Sequence, residues 1–66
     1  MTKWKRIASG DYETEDGRYR MYQCPGVYPP AWNVEEINDV EEIMIVDGAA
    51  SMRDARAIFA TAMAGA

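Results

Sequence analysis

The 66-residue chain carries a formal charge of −4, no histidine and a single cysteine. So short a chain buries only about 60 % of its unfolded surface, which leaves stability marginal unless a partner or a tidy core supplements it. Cys24 alone excludes an intrachain disulfide and a Cys/His zinc site, and the acidic balance disfavours non-specific DNA affinity.

Alternating side chains over residues 4–14 predict a first strand at about 3–14, with Gly10 as a bulge or bend. Asp16-Gly17 is a strong hairpin signal, because a type I′ turn needs positive φ at both central residues. With those two at the turn and a second strand at about 18–23, Glu15 faces Arg18, Thr14 faces Tyr19, Glu13 faces Arg20 and Tyr12 faces Met21. One face then shows Thr14, Tyr19, Tyr12 and Met21, and the other shows two Glu–Arg pairs. Opposite charges across a ladder contribute about 0.2–1 kcal/mol each, so Arg18 and Arg20 are expected to hold strand to strand. In the competing reading they join Lys3, Lys5 and Arg6 as a phosphate-binding surface. A slip of one residue would exchange the faces.

The stretch CPGVYPP (24–30) is excluded from a central strand by its prolines and reads as a wide loop presenting Val27 and Tyr28. AWNVEEI then predicts a strand at about 31–37 with Trp32 and Val34 on one face. Asn33 and Glu36 also have capping-box spacing, and Val34, Ile37 and Met44 lie near helical spacing, so a helix competes for this segment. A further strand is expected at about 42–47, its consecutive apolar residues 43–46 implying cover on both faces. A two-residue Asn38-Asp39 turn would set Glu36 against Glu41 and Glu35 against Glu42. Like charges so placed are destabilising, which calls for a longer loop or a strained sheet end.

The C-terminal segment predicts a helix at about 52–64. Ser51 is the N-cap, Asp54 completes a capping box, and Gly65 marks the stop. Met52, Ala55, Ile58, Phe59, Ala62 and Met63 recur as one apolar stripe. Ala57, Ala60 and Ala64 leave the far side smooth, which suits a homodimer interface.

Residues 1–23 carry five basic and four acidic side chains, residues 24–48 none and six, and residues 49–66 two and one. Glu35, Glu36, Asp39, Glu41 and Glu42 fall within eight residues with no basic neighbour in sequence. One use of such charge is a solvated edge that resists strand pairing. Another is a docking surface for a basic patch on a second protein, with Tyr28 on its proline-stiffened loop as an apolar anchor. A carboxylate track imitating phosphates is a third.

Catalysis is not expected: there is no histidine base, no glycine-rich phosphate loop, no calcium loop, and nothing in sequence to activate Cys24. No cofactor or metal is implied. No apolar run approaches the ~18 residues that span a bilayer, no signal-peptide core opens the chain, and a lone thiol fits a reducing cytoplasm.

WKRIASGDYETEDGRYRM, then AWNV, then DGAASMRDAR resembles a pattern in small, uncharacterised sheet-plus-helix proteins of actinobacteria and their phages. The resemblance covers most of the chain and implies a phage or prophage setting. The strand order is also similar to DNA-binding domains of the AP2 and integrase-arm type, which lay a basic sheet face in the major groove. Here the later strands are acidic and the second-strand arginines face carboxylates. The expectation is therefore an α+β domain over 1–66, a three- to four-stranded antiparallel sheet on one C-terminal helix. Its expected function is non-enzymatic binding of a host or phage protein through Tyr28, Glu35, Glu36, Asp39, Glu41 and Glu42. The alternative is a nucleic-acid-binding module using Lys3, Lys5, Arg6, Arg18 and Arg20.

Overall fold

A computed structural model describes residues 3–41 and 43–65. Five antiparallel strands follow chain order across one sheet: β1 (Trp4–Ala8), β2 (Asp11–Thr14), β3 (Tyr19–Gln23), β4 (Trp32–Glu36) and β5 (Ile43–Ala49). Helix α1 (Met52–Ala64) then packs along β5 and β4. The α+β class and the single C-terminal helix agree with expectation, but the strand count is higher. The long first strand expected at 3–14 is two strands, because Gly10 with φ +77° reverses the chain at Ser9-Gly10 instead of bending it. A positive φ is available to glycine without a Cβ clash.

The β2–β3 register is as predicted, with Tyr12 opposite Met21 and Glu13 opposite Arg20. The turn is different. Gly17 has φ +74° but Asp16 does not have positive φ, so this is not a type I′ turn. Gly17 N–H donates to the Thr14 carbonyl at 2.9 Å, and Thr14 Oγ1 accepts the Tyr19 N–H at 3.1 Å. That hydroxyl also donates to Asp16 Oδ1 at 2.6 Å, so the side chain takes over a ladder position. Glu15 and Arg18 consequently lie in the turn and form no strand pair.

Residues 32–36 form a strand, so the helical alternative fails there. Asn33 caps nothing; it is buried, and its Oδ1 accepts the Gly48 N–H at 2.8 Å. Gly48, at φ +80°, sits in an irregularity of the β4–β5 ladder, so Asp47-Gly48 lies within β5 and does not end it. Glu36 pairs with Ile43 and Glu35 with Met44. The connection from 37 to 42 is thus longer than two residues, and like charges are not set opposite one another.

Met21, Val34, Val46, Ala49, Ala55 and Phe59 form the buried core, ringed by Trp4, Tyr12, Tyr19, Trp32, Ile45, Met52 and Met63. Phe59 receives the Trp4 and Tyr19 rings edge-on at centroid distances of 5.3 and 4.9 Å. Aromatic pairs of this geometry add about 0.5–1.5 kcal/mol each to area burial. Trp4 stands on the outermost strand from the helix, so the sheet curls to bring it there. Ser51 caps α1 as predicted, accepting the Asp54 N–H at 3.1 Å. The apolar stripe is narrower than expected: Ile58 and Ala62 are exposed. Ile58 is about 100° of helix rotation from Phe59, and the small sheet does not reach that far round. Covering of β5 on both faces also fails, since Ile43 and Met44 are 36 % and 43 % exposed on an outer strand.

Candidate functional site

The single helix covers one face of the sheet. On the opposite face, partners across the ladders run Lys5, Glu13, Arg20, Glu35, Met44, one from each strand in turn. Their neighbours Trp4, Met21 and Val34 belong to the core, so strand alternation turns this row outward. Its charges alternate in sign before ending on an exposed methionine.

Arg20 is the hub of that row. Its Nη2 lies 3.0 Å from Asp11 Oδ1, its Nη1 lies 3.9 Å from Glu35 Oε1, and its Cζ stands 5.1 Å from the Tyr22 ring centroid. The ion pair runs diagonally to Asp11 instead of straight across to Glu13. Arg18 is not held by Glu15; its Cζ lies 5.8 Å from the Tyr19 ring centroid. Half-exposed pairs such as these contribute about 0–1 kcal/mol. Lys5 and Arg20 share the open face with Glu13 between them, while Arg6 pairs with Tyr12 on the helix side. Lys3 lies beside the β2–β3 turn, its carbonyl accepting the Glu15 N–H at 3.1 Å. The five basic side chains therefore do not form one stripe.

The acidic residues are brought closer together. Glu13, Arg20, Glu35, Glu36, Ile37, Asn38 and Glu41 line an open hollow of about 400 Å³ where the open face meets the β4–β5 loop. Four glutamates and one arginine thus line it. Local hydrogen bonds shape the loop. Asn38 Oδ1 accepts the N–H groups of Val40 and Glu41 at 2.9 and 2.8 Å, an Asx turn. Ile37 N–H donates to the Arg18 carbonyl at 2.8 Å, tying the loop to the neighbouring turn. Val40 is left 92 % exposed beside the carboxylates, and Ile37 is exposed too.

Asp39 is exposed on the same loop but does not line the hollow, and Glu42 lies outside the described residues. Tyr28 is fully exposed, but on the β3–β4 loop at the opposite end of the sheet. The five residues of β4 separate it from the hollow, a rise of about 17 Å. The proximity of Glu13 and Arg20 to Glu35 depends on the order of strands, which local sequence patterns do not encode. The pairing of Glu13 with Arg20 was the available signal.

Asp16, in the β2–β3 turn, has a lowered pKa. The Thr14 hydroxyl, then the Arg18 N–H, hold its carboxyl below the ordinary 3.8. No cluster of three or more His, Cys, Asp or Glu is placed to hold a metal among the described residues, and no helix there is long and apolar enough to cross a membrane. The chain matches no protein-family model, no curated protein and no solved structure.

Proposed function

We propose that the chain is a small non-enzymatic module that binds another protein by receiving a cationic segment at its acidic end. The observation that carries this is the hollow lined by Glu13, Glu35, Glu36 and Glu41, with Arg20 the one basic residue among its lining. Their negative excess attracts a Lys- or Arg-bearing surface and penalises acidic partners, and such complementarity acts more on association rate and selectivity than on affinity. Ile37 and Val40 supply the apolar contact next to that charge. Tyr28 joins the same footprint only for a partner that spans the sheet. The phage or prophage setting rests on the sequence resemblance.

The test is capture from a host lysate by the native chain and by an E35K/E36K/E41K variant. Capture should be lost in the variant with its circular dichroism unchanged. Equal capture by both would make these carboxylates a solvated edge and nothing more. A gel shift near physiological salt addresses the nucleic-acid alternative: no shift is expected, and micromolar, salt-sensitive binding of a duplex would favour Lys3, Lys5, Arg6, Arg18 and Arg20 instead.

A further inference from the structure

The two outer strands of the sheet are unlike. β1 carries Lys5 and Arg6, follows Lys3, and has a register irregularity between Arg6 and Ala8. Lysine and arginine on an outer strand discourage it from pairing with other chains; irregularity does not separate the two, since the β4–β5 ladder has two register shifts of its own. β5 has seven residues, the most of any strand, and carries no lysine or arginine. Its first four residues are apolar, and Ile43 and Met44 are exposed. β4 pairs with one side of β5, and no described strand lies on the other. The unpaired backbone groups on that side are a template for one more strand.

Building on the reading of the acidic end as a docking site, we propose that β5 accepts an added strand: an extended partner segment that alternates apolar and Lys/Arg residues. Charge complementarity selects this occupant. Glu35, Glu36, Asp39 and Glu41 lie where β5 begins, and Asp47 lies toward its other end. A second copy of β5 laid antiparallel would bring Asp47 of one chain toward the acidic loop of the other, with each chain at −4. Like charges so placed oppose pairing. A cationic strand meets carboxylates at both ends and covers Ile43 and Met44 between them. The backbone ladder supplies attachment, and the alternating side chains supply selectivity.

The probe is a synthetic peptide of alternating Lys and Val, titrated into isotope-labelled native chain and followed by amide shifts and hydrogen exchange. Expected are slowed exchange at amides within 43–46 and at least about tenfold weaker binding when alternate peptide nitrogens are methylated, because methylation removes ladder hydrogen bonds and keeps the charge. Met44→Lys, a change at an exposed side chain, should weaken the unmethylated peptide by a similar factor while leaving the spectrum folded. If both peptides bind equally and shifts stay within 35–41, strand addition is overturned and the acidic docking site stands. If neither peptide binds, both are overturned. If amides of 43–46 are already protected without peptide and the sedimenting mass is doubled, the occupant is a second copy and the proposed partner is wrong.

Discussion

Replacing Phe59 by alanine tests the packing that leaves one sheet face open. Phe59 is 1 % exposed and receives two rings edge-on, from Trp4 and Tyr19. Truncating a buried phenylalanine costs about 3–5 kcal/mol, from lost transfer energy and the cavity left behind. At about 0.05–0.15 kcal/mol per residue, the total stability of a chain this size is roughly 3–10 kcal/mol. The substitution thus removes between a third and all of it. Phe59→Leu retains most of the volume but loses both edge-to-face pairs, a deficit of about 1–3 kcal/mol. Urea unfolding followed by Trp4 and Trp32 fluorescence and by circular dichroism reads both variants. The expected order of stability is native, Leu, Ala, with the Ala variant about 3–5 kcal/mol below native. An Ala variant within about 1 kcal/mol of native would refute the placement of α1 against Trp4 and Tyr19.

Other substitutions separate the polar contacts. Asn33→Ala leaves the Gly48 N–H without its acceptor and should cost about 1–3 kcal/mol in the same melt; no loss would mean that this bond does not hold the β4–β5 irregularity. Arg20→Ala should cost under about 1 kcal/mol, because its pairs are half-exposed, and a larger loss would show that Arg20 braces the sheet. Asp16 titrates below its ordinary value of 3.8 in the folded chain. Its stabilising contribution is therefore complete above pH 3.8 and disappears as pH falls through the lower folded value. Asp16→Asn should flatten that part of the acid-unfolding curve, and an unchanged curve would contradict the Thr14–Asp16 bond.

Local chemistry was legible in the sequence where one signal dominated. The opposition of Tyr12 to Met21 and of Glu13 to Arg20 followed from placing a turn at Asp16-Gly17, even though the turn type differed. It differed because Thr14, a buried side chain, supplies the acceptor for Tyr19 N–H that a tight ladder would take from the backbone. Ser51 and Asp54 announced the start of α1 without help from the rest of the chain. Gly10 was ambiguous because a lone glycine serves a bulge or a reversal equally well. The apolar run 43–46 read as doubly covered because periodicity does not distinguish a central strand from an outer one. Asn33 read as a cap because its partner, Gly48, is fifteen positions away in sequence. The acidic residues were visible as a cluster, but the hollow also needs Glu13 and Arg20, which strand order brings beside them.

The most direct measurement is fluorescence anisotropy of a labelled Lys–Val peptide with the native chain and with E35K/E36K/E41K, at ionic strengths from about 0.05 to 0.3 M, across which the screening length shortens to below 10 Å. Attraction to the acidic hollow predicts binding by the native chain that weakens as salt rises, and at least about tenfold weaker binding by the reversed variant. Equal affinities for the two proteins across that range would contradict it.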